Sequence, residues 1–286
     1  MNSSFKDLEK AYKIADWMDD PWSSKGRSRY LQALKRFEHL LKHQWFKEVL
    51  NMGKVAVLDI GAGKGIGGVA LVKILLKHGV LVDLVMIDVR EDALKDAKRF
   101  ATEEDVKAET RVLDALKTYE LGRSFDIILA YGAILAHFND WSLTKLFASL
   151  NKCAHHRSIV VIEERNRVNA IFKDGFKEFL VENRDPENLS ISVHLKHDVV
   201  TGSYYRAYIK LKNYEITSLP INFRNISTIA SLLWIFFQDV DLVYSGENEM
   251  YFVLGKSARE KIRTKDILLY EPTILKRKEP LNLYNF

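Results

Sequence analysis

The sequence predicts an α/β fold: a doubly wound, mostly parallel sheet with a C-terminal antiparallel strand, an N-terminal helical cap and an antiparallel β insertion. Three observations predict it. Nearly continuous apolar runs at 55–60, 81–88, 125–130 and 158–164 alternate with segments of helical apolar period, as parallel strands buried between crossover helices do. The first run opens straight into a glycine turn, VAVLDIGAGKGIGG from Val55 to Gly68, and a helix starts near Ile66. Acids stand at or near the ends of the runs, at Asp59, Asp88 and Asp114, along the carboxyl edge where open α/β sheets hold ligands.

Ahead of this core, residues 5–18 and 28–50 read as two amphipathic helices separated by DDPWSSKGRS. They form a cap over residues 1–50, in which Trp22, Lys25 and Tyr30 are candidates for the substrate-side wall, against plain packing. After the glycine turn the helix ends near His78 and Gly79, LVDLVMID is the second strand, and VREDALKDAKRF is a helix. A third strand runs from about Glu109 to Leu113, FDIILA is the fourth, 140–151 is a helix and SIVVIEE the fifth strand. From residue 165 the rhythm breaks. Alternating apolar residues at 188–195 and 205–211 mark an antiparallel excursion at about 188–217, where Tyr204, Tyr205, Arg206 and Tyr208 offer aromatic faces and a cation. Residues 227–238 are a last helix, and 241–245 with 249–256 can only form an antiparallel hairpin.

The glycines decide the ligand class. Alternate glycines let a ligand lie against the main chain, and the free N–H groups of the next helix point at it. The dinucleotide pattern GxGxxG fails from Gly61, where Ile66 replaces the third glycine, and fits Gly63, Gly65 and Gly68 only two residues late. Asp83 has the spacing a dinucleotide ribose acid prefers, but it lies inside its apolar run, whereas Asp88 closes it. Asp59 would repel a pyrophosphate and suits a positively charged ligand.

DIGAGKG resembles the first motif of the class I S-adenosylmethionine-dependent methyltransferases, an acid followed by GxGxG. The resemblance covers roughly 55–255. It implies S-adenosyl-L-methionine as cofactor, with Asp59, Gly61, Ala62, Gly63 and Gly65 holding its methionine part, Asp88 its ribose, and Asp114 with Ala115 its adenine. Val89 and Ala130 complete the cofactor-binding set. The loop AYGAILAH looks like the GxxxAH segment of small-molecule N- and O-methyltransferases, which makes His137 and Tyr131 the catalytic candidates. Capping or packing is the alternative for His137. In such enzymes leading helices lie over the cofactor and an antiparallel excursion walls the substrate.

The formal net charge is +5, and residues 256–286 hold eight Lys/Arg against four acids. The body is therefore nearly balanced, which disfavours a dedicated nucleic-acid binder. The basic tail, with Lys276, Arg277 and Lys278 near Tyr284 and Phe286, keeps an RNA or protein substrate as the alternative to a small-molecule acceptor. Cys153 is the sole cysteine, which excludes an intrachain disulfide and fits a reducing compartment. His155 and His156 are adjacent and read as surface residues, so no metal is expected. The lack of a signal-like N-terminus and of a long apolar run predicts a cytoplasmic protein with no membrane partner. A non-catalytic binding module and a dinucleotide oxidoreductase are the remaining rivals.

Overall fold

The computed structural model describes residues 3–245, 249–260 and 264–269. Three helices lead: α1 (Ser3–Ala15), α2 (Ser24–Leu40) and α3 (Phe46–Leu50). The first ends three residues earlier than the periodicity suggests, because Asp16 and Met18 take left-handed backbone. The expected 28–50 helix is two helices and begins sooner. Ser23 caps α2 by accepting from the Gly26 N–H at 3.0 Å, and turns over 41–45 separate it from α3.

The doubly wound part follows as β1 (Lys54–Ile60), α4 (Ile66–Lys77), β2 (Leu81–Asp88), α5 (Glu91–Glu103), β3 (Ala108–Val112), β4 (Phe125–Ala130), α6 (Asp140–Lys152) and β5 (Ala154–Arg165). Short 3₁₀ turns at Ala115–Leu121 and Ile134–His137 flank β4. Next come α7 (Arg167–Asp174), β6 (Phe179–Asn183), β7 (Ser190–Asp198), β8 (Ser203–Lys210) and β9 (Glu215–Ile221). The chain then forms α8 (Ile226–Phe236), β10 (Phe237–Tyr244), β11 (Met250–Ala258) and α9 (Thr264–Leu269).

Seven strands form one sheet in the order β10-β11-β5-β4-β1-β2-β3. Side chains alternate between its faces: Val57, Leu129 and Val161 pack toward α2, α4 and α5, and Leu58, Ile128 and Val160 toward α6 and α8. The antiparallel strand, β11, is last in sequence but one place in from the edge, between β5 and β10. Strand β10 starts at Phe237, four residues before the predicted strand. Asn151 Nδ2 and the Arg259 N–H both donate to the Phe236 carbonyl and draw it from the helical ladder, and the chain turns extended at Phe237.

The antiparallel excursion is a separate sheet, β6-β7-β8-β9, wider than predicted at 179–221. Helix α1 lies on it: Ala11, Ile14 and Ala15 form a small core with Tyr208 and Leu219. At the other end, residues 256–258 still belong to β11, and Ile267 and Leu268 of α9 pack on the main core. The tail residues Lys276, Arg277, Lys278, Tyr284 and Phe286 lie outside the described residues. Among the described residues no helix is long and apolar enough to cross a membrane.

Candidate active site

The glycine turn follows β1 and leans on the end of β2. Gly61, Gly63 and Gly65 all have positive φ, a conformation side chains resist. The Ala62 N–H donates to the Ile87 carbonyl at 2.9 Å, tying the turn to β2. Two further glycines let α4 seat against the strands. A Cβ at Gly67 would stand 2.5 Å from Tyr131 Cβ, and one at Gly68 2.6 Å from Asp59 Oδ2.

Asp59 is 1% exposed. Its Oδ2 accepts from the Gly68 N–H at 2.9 Å, while Oδ1 is buried without a hydrogen-bond partner. Burial pushes this carboxyl up to about 8, the Gly68 bond and the charge of Arg29 opposing. A buried carboxylate oxygen with nothing to accept suits a ligand that brings a cationic donor.

Asp88 ends β2, but both its oxygens are engaged. Oδ2 accepts from the Gly63 N–H at 2.8 Å and Oδ1 from the Arg90 N–H at 2.9 Å. The Arg90 side chain folds back over the site. Its Nε is 3.4 Å from Asp88 Oδ1, its Nη1 donates to Asp19 Oδ2 at 3.0 Å, and its Nη2 stands where a Cβ on Gly63 would come within 3.0 Å. The two free carboxylate oxygens expected for a ribose are thus held by the turn and by Arg90. Asp83, the dinucleotide rival's acid, is exposed near the opposite end of β2 beside Arg123.

Asp114 follows β3 and caps the next turn, Oδ1 accepting from the Leu116 N–H at 2.9 Å. Ala115 is buried behind it and Ala130 closes β4. Val89 stands between Asp88 and Arg90 at the sheet edge.

The loop after β4 is ringed by arginines. Tyr131 is buried, its hydroxyl pushed well above the usual range mainly by burial, and Arg29 lies 5.4 Å over its ring. Glu163, near the end of β5, accepts from Arg36 Nη1 at 2.8 Å and the Gly132 N–H at 3.1 Å. Arg167 donates to Glu164 Oε1 at 3.2 Å and the Ala133 carbonyl at 3.3 Å. His137 faces Tyr12 and Trp17, with ring centres about 6 Å away. Burial first, then the charges of Arg167 and Arg90, push His137 down to about 4. The ring is therefore neutral near pH 7.

These groups surround one cavity of about 1190 Å³. It is walled by Asp59 and the turn residues 61–64, by Arg90, by the loop 131–137, by α1 and α2, and by residues of the antiparallel sheet that include Arg206 and Tyr208. Gly65, Asp88, Val89, Asp114, Ala115 and Ala130 lie outside its lining. Of the cap candidates only Lys25 lines it. Trp22 and Tyr30 turn to α5, donating to Glu103 and Glu104. Tyr204 packs at an angle against His197, Phe176 and Phe223, and Arg206 is spent on Ser192 and the carbonyls of Lys177 and Glu178. Sequence reading missed Arg29, Arg36, Arg90 and Glu163. Only the position of Glu163 near the end of an apolar run signalled it.

Residues 57–156 match the family described as a methyltransferase domain. No curated protein matches the chain. The fold is similar to an S-adenosylmethionine-dependent methyltransferase from Clostridium acetobutylicum, at 12% identity over 78% of this chain and 92% of that one, TM-score 0.58. It is also similar to the CcbJ methyltransferase from Streptomyces caelestis, at 13% identity over 87% and 98%, TM-score 0.59. A protein from Pyrococcus horikoshii matches at 16% identity over 86% and 97%, TM-score 0.56. With the DIGAGKG turn, residues 57–156 are a methyltransferase domain of the Rossmann-like class I. S-adenosyl-L-methionine is its cofactor.

Proposed function

We propose that this enzyme methylates an N or O nucleophile on a small molecule. The observation that carries the reading is the depth of the cavity: α1, α2 and the antiparallel sheet add walls to the loop after β4, which favours a cofactor and a compact acceptor over a polymer.

The residues on the methionine side of the site fit the cofactor. Asp59 Oδ1, buried and unpartnered, meets the methionine ammonium; Arg29, over Tyr131 and with no carboxylate in ion-pair range among the described residues, meets the methionine carboxylate. The glycine turn gives close backbone approach. Asp88 takes the ribose once Arg90 withdraws from it, and Asp114 with Ala115 flanks the adenine, with Val89 and Ala130 beside them. The cofactor supplies an electrophilic methyl group on a sulfonium. The chain's part is to align the acceptor and exclude water. Tyr131 stays protonated and acts as a hydrogen-bond donor, and His137, neutral, as an orienting partner.

A thermal-shift panel with S-adenosylmethionine, S-adenosylhomocysteine, NAD and NADP tests the cofactor site, since a ligand of the native state raises its stability. A rise with the two adenosyl-sulfur ligands alone is expected. Labelled methyl transfer in cell extract, separated into small-molecule, RNA and protein fractions, tests the acceptor; label in RNA or protein would sink the small-molecule reading. The chain should also be shortened after Leu269 and assayed. A cut near 256 would sever β11.

A further inference from the structure

The charges around the cavity narrow the acceptor's chemical class. Most cations on its wall are answered by acids: Arg36 by Glu163, Arg90 by Asp88 and Asp19, Arg167 by Glu164, Lys64 by Asp96. Arg29 is assigned above to the cofactor, and Arg206 is consumed by Ser192 and backbone carbonyls. Two cations on the acceptor side remain, Arg165 and Lys177. Neither has a carboxylate within 4 Å among the described residues, and Arg165 Nε is buried with no hydrogen-bond partner.

Arg165 is placed by the strand. It stands two residues after Glu163 on β5, hence on the same face of the sheet, beside the Arg36–Glu163 pair. The Glu163 carboxylate beside Arg165 is thus already taken by Arg36 and the Gly132 N–H. The other acids on the wall do not balance Arg165. Glu182 already accepts from Trp17 Nε1 and Ser192 Oγ, and Asp174 is exposed at the end of α7. A buried guanidinium donor without an acceptor is costly unless a ligand supplies one, and a carboxylate or phosphate does so through charge-assisted bonds. The rest of the wall is aromatic, with Trp17, Tyr208, Phe176 and Phe223.

We propose that the methyl acceptor is a small organic anion whose carboxylate or phosphate is received by Arg165, with Lys177 as second cation and the aromatic wall holding its body. This rests on the small-molecule reading above.

The test uses the full-length protein. S-adenosylhomocysteine binding is measured first, by thermal shift and calorimetry, so that failure of the cofactor site is seen independently. The saturated complex is then titrated with benzoate, phenyl phosphate, benzyl alcohol and benzylamine. One of the two anions is expected to bind about tenfold more tightly than the alcohol or the amine, and which one distinguishes a carboxylate from a phosphate seat. The preference should vanish in Arg165→Ala, shrink in Lys177→Ala and partly return in Arg165→Lys. S-adenosylhomocysteine binding by each variant certifies its fold; if Arg165→Ala fails that check, Arg165→Lys and Lys177→Ala carry the comparison. Equal binding of the four probes, no anion binding, preference for the amine, or an anion preference untouched by the folded variants overturns the proposal.

Discussion

The Arg90 guanidinium lies 3.9 Å from the centre of the Tyr12 ring. One side chain therefore joins the acid at the end of β2 to the first helix, since Arg90 also pairs with Asp88 and with Asp19 in the segment after α1. Arg90→Ala should loosen that helix, with a stability loss of about 1–3 kcal/mol from the partly buried ion pair and ring contact. Urea unfolding reads the loss and hydrogen exchange reads the helix. An α1 that exchanges no faster in the variant would separate Arg90 from the cap.

Asp59 should couple ligand binding to pH. Its carboxyl is held up at about 8 in the folded chain against 3.8 ordinarily. The folded state thus binds the extra proton, and this stabilising contribution is lost as pH rises from about 4 through about 8. An incoming ammonium favours the carboxylate, so binding of S-adenosylhomocysteine near pH 7 should release protons and tighten as pH approaches 8. Calorimetry in buffers of different ionisation enthalpy measures the release. Asp59→Asn should abolish it and flatten the dependence of Tm on pH; an unchanged release would assign the proton elsewhere.

His137 works in the opposite direction. A histidine pushed down to about 4 from 6.5 stays neutral above pH 6, and its contribution to stability falls away as pH drops from about 6.5 toward 4. The rate of methyl transfer should carry no limb near 6.5 from this group. His137→Gln, which keeps a hydrogen-bonding head, should retain kcat within about tenfold. A limb near 6.5 that disappears in the variant would make the histidine a base.

Two glycine substitutions separate packing from backbone strain. Gly67→Ala puts a methyl into the Tyr131 side chain and should cost about 1–3 kcal/mol through overpacking. Gly53→Ala meets no atom within 4 Å but sits at φ +67°, so its cost should stay near 1 kcal/mol. Chemical denaturation of both checks the ordering, and equal losses would mean that α4 can shift away from β4.

The parallel core was legible because burial on both faces writes itself as apolar runs, and Asp59, the glycines and Asp88 were legible because a turn between strand and helix restricts its residues. What was not legible depends on distance. Arg29, Arg36 and Arg90 read as ordinary charges on helices or at a helix start; only the fold brings them to Tyr131, Glu163 and Asp88. Strand β6 was missed because Phe179, Leu180 and Val181 are all exposed and do not alternate. Asp88 stands at the end of β2 as its position in the apolar run predicts, but its engagement by Arg90 follows from a side-chain path that local sequence does not encode.

The seat of α1 on β8 and β9 bears on the order in which the protein is made. Thr217 Oγ1 donates to Asp7 Oδ1 at 3.0 Å across 210 positions of sequence. The glycine turn, Asp59 and Asp88 are complete once β2 and β4 have paired with β1. During synthesis the core that seats the first helix stays incomplete until β9 emerges, so the cofactor-side residues can be in place before the wall over the acceptor is.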